Sequence, residues 1–188
     1  DVLGTTILGK STLIGKPLWS QYSGKVKERM DNPKLRGAIT KEQADAMNCD
    51  LVVADHGAES CGDAVRIYWA VDRETKKIKD ARFQTFGCAT AIASSDVTAE
   101  MCIGKTPEEA AKFVTNLEVE KALRDSPDKP AVPPQKMHCS VMAHDVVSKA
   151  AAAAAAVGKK STANAKPISS SEDDEIVCEC ARVTLGSL

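Results

Sequence analysis

Apolar and polar positions alternate along the first half of the chain and switch to a helical period in the second. In "DAVRIYWAVD" the residues Val65, Ile67, Trp69 and Val71 alternate with polar or small ones, the period of a half-buried strand. "LVVADHGAE" predicts a strand over Leu51 to Asp55. "KIKDARFQTF" alternates more loosely, and the turn-like Asp72-Arg73-Glu74-Thr75 before it predicts an antiparallel hairpin. Ahead of the strands, Trp19, Tyr22, Val26 and Met30 recur at intervals of three and four, an amphipathic helix that Asp31-Asn32-Pro33 stops. A loop with a short helix fills residues 33 to 47. After Cys88 come "ATAIASSDVTAEMC", then "TPEEAAKFV" with Thr106 as N-cap and Pro107 at the first helical position, then "LEVEKALRD". Pro127, Pro130, Pro133 and Pro134 break the chain, and a last helix runs from Cys139 through the alanines at 150 to 156 to Val157, with Gly158 expected to end it. The fold expected is α+β: a small antiparallel sheet of about three strands packed with helices, which bring helix starts and strand ends to one exposed end.

Composition changes between these elements. Residues 1–17 are small, polar and glycine-spaced, a flexible lead-in; residues 18–157 form the main domain; residues 158–175 have linker composition. "IVCECARVTLGSL", residues 176–188, reads as the truncated start of a cysteine-rich module. A chain of 188 residues, 43% hydrophobic, buries one ordinary core. Its net charge of -1 offers no basic excess, so no nucleic-acid partner is expected. No apolar run approaches the roughly 18 to 20 residues that span a bilayer, and no secretory signal layout is visible, so no membrane partner and a cytoplasmic location are expected. Seven cysteines, spread over positions 49, 61, 88, 102, 139, 178 and 180, do not resemble a disulfide framework. Metal or thiol chemistry is the better expectation.

Gly4-Thr5-Thr6-Ile7-Leu8-Gly9-Lys10-Ser11 matches the phosphate-cradling P-loop, which would make Lys10 a nucleotide ligand. That loop needs a strand before it and a helix after it, whereas only three residues precede Gly4, and Gly15 and Pro17 would break the helix after about two turns. The cysteines are more informative. Cys61 and Asp63 stand two apart in an extended segment and point to one face, with Gly62 leaving room between them. Cys88 and Cys139 each stand where a helix begins, and the positive end of a helix favours the thiolate that binds metal or attacks sulfur. With Asp63 or His138 as fourth partner, three thiols supply the ligand types of a tetrahedral zinc or iron site. Buried structural cysteines are the alternative for any one of them. Cys102, 14 residues beyond Cys88, would lie roughly 21 Å along one helix from it and belongs to the core. Cys49 is either buried or incidentally exposed. His56 reads as a hydrogen-bonded or surface residue, and His144, about 140° around the helix from Cys139, points elsewhere.

"ESCGDAVRIYWAVD", "DARFQTFGCATAIASSD" and "VPPQKMHCSVMAHD", in that order, resemble the scaffold domain of the NifU/IscU family, which assembles iron-sulfur clusters; the likeness covers about residues 17 to 157. "IVCECARVTLG" resembles the beginning of the ferredoxin-like module of the longer NifU-type members, with Cys178 and Cys180 as a possible second site. The resemblance implies a non-enzymatic scaffold for a transient 2Fe-2S cluster built from iron and sulfur supplied by a cysteine desulfurase, then passed to apo iron-sulfur acceptor proteins. It implies Cys61, Asp63, Cys88, His138 and Cys139 as ligands of iron or substituting zinc. Cys139 would accept persulfide sulfur with Lys136 as its charge partner. Family members of the longer type associate, so a homodimer is expected, serving nitrogenase or general cluster supply. Where shorter scaffolds carry Leu-Pro-Pro-Val-Lys, a chaperone recognition segment, this chain reads Val132-Pro133-Pro134-Gln135-Lys136. Absent the family, the same ligands describe a structural zinc-binding module.

Overall fold

The computed structural model describes residues 20–58 and 62–160, with the backbone of 176–178 and 183–184. The expected lead-in with its P-loop-like run, Trp19, Cys61, Cys180 and most of the expected linker lie outside the described residues.

Strand β2 (Asp63–Asp72) is the middle of a three-stranded antiparallel sheet, flanked by β1 (Cys49–Ala58) and β3 (Ile78–Phe86). Its alternation is realised on one face, where Val65, Ile67 and Trp69 are buried among residues of β1, β3 and the helices. β1 is longer at both ends than the expected Leu51 to Asp55, because the ladder with β2 extends from Cys49 opposite Asp72 to Ala58 opposite Asp63. The loose pattern of β3 has a physical cause: Ala70 pairs with Asp80 but Val71 with Ile78, a bulge that leaves Lys79 as the extra residue. Lys79 then reaches Asp72 at 2.8 Å, and Asp72 holds the hairpin turn by accepting from the amides of Glu74 and Thr75.

Helices cover the Trp69 face. α1 (Gly24–Asp31) starts at the cap Ser23, whose Oγ accepts from the Val26 amide, so Tyr22 packs on the core from outside the helix and not within the stripe expected for it. α2 (Lys41–Ala46) lies on the opposite sheet face, where Ile39, Ala44, Cys49 and Ala70 form a smaller core. α3 (Ala89–Cys102) is built from small residues and is buried nearly all round, packed against β3, α1 and the last helix. Inside it, Asp96 accepts from Arg29 of α1 at 2.6 Å and from the Leu35 amide at 2.8 Å, which satisfies a carboxylate with no exposed surface. α4 (Pro107–Phe113) carries the expected Thr106 cap and proline start, and α5 (Asn116–Ala122) comes next. α6 (His138–Lys160) lies over β1 and β2 and continues through Gly158. The expected glycine stop is therefore corrected: the alanine run carries the helix past it, and a single Gly costs only about 1 kcal/mol within a helix. Ile176–Cys178 (β4) and Val183–Thr184 (β5) pair antiparallel with each other, Cys178 opposite Val183.

Among the described residues no helix is long and apolar enough to cross a membrane.

Candidate metal centre

The antiparallel register sets the site. Ala64 at the start of β2 pairs with Phe86 at the end of β3, so Asp63 stands beside the turn in which Gly87 leads into Cys88, the N-cap of α3. The Pro133 bend, a single 3₁₀ turn over Pro134–Lys136, and the start of α6 deliver His138 and Cys139 to the same end. Three separate stretches of sequence thereby converge because strand ends and helix starts share one end of the sheet.

Asp63 organises the cluster. It is 4% exposed, its Oδ1 accepts from the Cys88 amide at 2.7 Å, and its Oδ2 accepts from the Cys139 thiol at 3.6 Å. Gly87 makes this possible, since it has φ +148° and a Cβ there would come within 2.7 Å of Asp63 Cγ. Cys88 Sγ and Cys139 Sγ are 3.5 Å apart, and one donor atom from each of Asp63, Cys88 and Cys139 lies within 4.8 Å of the others. The donors are two sulfurs and one hard oxygen, a set that suits iron or zinc.

His138 completes the edge of this group. Its Nδ1–H donates to the Gln135 carbonyl at 3.0 Å, which leaves Nε2 as the bare nitrogen. That atom is buried with no hydrogen-bond partner among the described residues, and it faces Asp63 Oδ2 at 3.5 Å. A backbone carbonyl fixing the tautomer from behind is the usual support of a metal-binding imidazole. The orphaned nitrogen and the shared carboxylate fit a metal ion better than they fit a closed hydrogen-bond network.

The two thiols, both at helix starts, move in opposite directions, chiefly through each other and not through the helix ends. The Cys88 thiol is lowered to about 6, chiefly because Cys139 donates its S–H to it; burial opposes this, and the Ala91 amide adds to the lowering. Cys139 moves the opposite way: donation to Cys88, burial, and the charges of Cys88 and Asp63 hold it far above the ordinary thiol range. The one proton of the buried Cys139 thiol is thereby shared between Cys88 Sγ and Asp63 Oδ2, and Cys88 is the readier thiolate of the pair.

Lys136 closes the 3₁₀ turn, half-buried, and forms no ion pair among the described residues. Cys61 and Cys180 lie outside the described residues, and only the backbone of Cys178 is described. Cys102 is buried in the core, with its thiol pushed up to about 12 by desolvation, and Cys49 is buried and donates to the Met47 carbonyl. His144 donates from Nδ1 to the Val114 carbonyl, away from the site. His56 contacts Asp145 of α6 at 3.4 Å. The sequence reading missed the part played by Gly87, although the "FGC" glycine between a strand end and a helix start carried the signal.

The model of the NifU-like N-terminal domain family matches residues 21–161. This chain belongs to that family. Over 129 residues it is 41% identical to the iron sulfur cluster assembly protein 1, mitochondrial, of Debaryomyces hansenii, covering 69% of this chain and 65% of that one. Over 164 residues it is 37% identical to the nitrogen fixation protein NifU of Azospirillum brasilense, covering 87% of this chain and 46% of the relative. The chain therefore spans less than two thirds of either curated relative. A solved structure from the thermophilic Fervidobacterium islandicum, described as an iron-sulfur cluster assembly scaffold for the SUF system, superposes with a TM-score of 0.52 at 25% identity, over 70% of this chain and 97% of that one. The NifU-like family and the three-stranded α+β fold thus agree with what the three sequence motifs implied.

Proposed function

We propose that this NifU-like domain is a scaffold on which a labile 2Fe-2S cluster is assembled and from which it is handed to apo-proteins. The observation that carries this reading is the convergence of the Asp63 carboxylate and the Cys88 and Cys139 sulfurs within 4.8 Å in a member of this family. Iron and sulfur are cargo, so the protein acts as a carrier and not as a turnover enzyme. Cys88 and Cys139, together with Cys61, two residues before Asp63 in the sequence, supply thiolates; Asp63 and His138 are the exchangeable partners. A carboxylate is a harder ligand than a thiolate, which favours release of the finished cluster.

Sulfur enters as a persulfide from a cysteine desulfurase, with Cys139 as acceptor and the Lys136 ammonium offsetting charge on it. Because Cys139 is fully buried, delivery requires the desulfurase to open the contact between the start of α6 and Asp63. A second copy of the chain and the apo-acceptors are the remaining partners. The same donors accept zinc, which is the competing reading.

Anaerobic reconstitution with ferrous iron, cysteine and a cysteine desulfurase tests the proposal on wild type and on Cys61→Ala, Cys88→Ala and Cys139→Ala. A labile 2Fe-2S absorption in wild type, lost or weakened in each variant, supports it. Tightly held zinc with no sulfide incorporated under any condition would identify a metal-stapled module instead.

A further inference from the structure

We propose that Cys88 is the resolving thiol of this site: it attacks a persulfide on Cys139 and expels the delivered sulfur as hydrosulfide, so that the scaffold itself supplies the two electrons that convert sulfane sulfur to sulfide. The inference rests on the reading above, in which Cys139 receives the sulfur.

Its basis is the geometry of the pair. Cys88 Sγ stands 3.5 Å from Cys139 Sγ, at the outer limit of the roughly 3 to 3.5 Å separation from which a positioned nucleophile reacts. In the closed site both sulfurs are held at element starts: Cys88 at the start of α3, where its backbone N–H donates a hydrogen bond to Asp63 Oδ1, and Cys139 by its burial at the start of α6. The remaining cysteines whose side chains are described, Cys49 and Cys102, are buried in other parts of the fold, with Cys49 in the smaller core behind the sheet and Cys102 at the far end of α3. Cys88 is thus the described thiol placed to meet sulfur bound at Cys139, and it is partly open to solvent where Cys139 is not.

The step balances without an outside oxidant. Cys139 carries the delivered sulfur as Sγ–S⁻. The Cys88 sulfur attacks Cys139 Sγ; the Cys88–Cys139 disulfide bond forms, and the bond from Cys139 Sγ to the outer sulfur breaks. The outer sulfur leaves with that electron pair and takes up the proton released from Cys88, departing as HS⁻ beside the ligands that hold iron. Two thiol sulfurs are oxidised to a disulfide as one sulfane sulfur is reduced to sulfide. A dithiol reductant then returns the pair to thiols by exchange, and the scaffold is ready for the next sulfur. The partly open position of Cys88 gives such a reductant its point of attack.

The test is a single anaerobic loading of the whole chain by a cysteine desulfurase and cysteine, without added thiol, followed by alkylation, peptide mass analysis and sulfide determination. Wild type is expected to show a Cys88–Cys139 disulfide, a loss of two hydrogens, and one free sulfide for each disulfide; omission of cysteine abolishes both. Cys88→Ser, a substitution that keeps a good helix cap, is expected to retain one extra sulfur on the Cys139 peptide and to release no sulfide until a reductant is added. A wild-type protein that holds the extra sulfur on Cys139 with no disulfide would overturn the proposal, and this outcome does not depend on how the variant folds. If neither protein ever carries the extra sulfur or forms the disulfide, the failure lies in the delivery reading and takes this inference with it.

Discussion

Asp63 occupies the space in which a side chain at Gly87 would begin. A Cβ at position 87 would come within 2.7 Å of Asp63 Cγ and 3.0 Å of its Cα, and Gly87 has φ +148°. The Gly87→Ala protein is expected to lose about 2 to 5 kcal/mol of stability, the sum of a backbone penalty of roughly 1 to 2 and an overpacking penalty of roughly 1 to 3. It should also bind Co²⁺ more weakly, because Asp63 must leave the Cys88 amide. Gly62→Ala is the comparison: Gly62 has φ +69° but, among the described residues, nothing within 4 Å of a Cβ, so it should lose only the backbone part, with the Co²⁺ spectrum retained. Denaturant melts and Co²⁺ absorption on the two proteins decide the matter, and equal behaviour would refute the role given to Gly87.

What the sequence made legible was governed by local period and by residue type. Val65, Ile67 and Trp69 declared β2 because a half-buried strand must alternate, and Thr106-Pro107 declared α4 because a cap and a preset φ are local chemistry. The bulge at Lys79 blurred β3, and the start of α1 was misplaced because Ser23 capping competes with a stripe that continues into the preceding turn. Around the site, the residue types Asp63, Cys88, His138 and Cys139 were visible, but their sharing of one proton and one carboxylate was not. That arrangement depends on the register of Ala64 with Phe86 and on where α6 lands, both tertiary facts.

The unequal thiols predict an order of alkylation in metal-free protein. Cys88, lowered to about 6 by the thiol it accepts from, should react with iodoacetamide with a half-maximal rate near pH 6, against about 8.5 for an ordinary cysteine. Its thiolate form is stabilised, so its reactivity persists below neutrality. Cys139→Ala removes the donor, and the Cys88 midpoint should move upward. Cys102, pushed up to about 12 in the core, should stay unmodified until the protein unfolds. Peptide mapping across a pH series reads all of these at once; a Cys88 midpoint unchanged by Cys139→Ala would mean that the two sulfurs do not share a proton.

Acid should unfold the hairpin end first. The Asp72 carboxyl is held well below the usual carboxylate range by the Lys79 ammonium and the Thr75 and Glu74 amides, against an opposing burial cost. A depressed native pKa means stability that is fully present above the unfolded value of about 3.9 and is lost as pH falls through the lower native value. Asp72→Asn should therefore lower Tm at neutral pH and flatten its decline below about pH 4. Thermal melts of both proteins across that range give the answer, and parallel curves would show that Asp72 contributes nothing to the acid limb.

Burial of a charge in α3 ties the distant first helix to the site. Asp96 has no exposed side-chain surface and depends on Arg29, itself 16% exposed, and on the Leu35 amide. Arg29→Ala strands a buried carboxylate, for which the expected loss is about 3 to 5 kcal/mol. Replacing both partners by apolar residues of similar volume, Arg29→Met with Asp96→Leu, should recover much of that loss, since no buried unpaired charge remains; Glu100, the other carboxylate paired with Arg29, is half exposed to water. The effect should extend to metal binding, because α3 is the helix whose first turn presents Cys88, and a loosened α1–α3 contact lets that turn shift against Asp63. Co²⁺ titrations below the unfolding midpoint should show weakened binding in Arg29→Ala and restored binding in the double variant. If the double variant regains stability but not affinity, the Arg29–Asp96 pair orients the Cys88 turn directly, beyond holding the helices together.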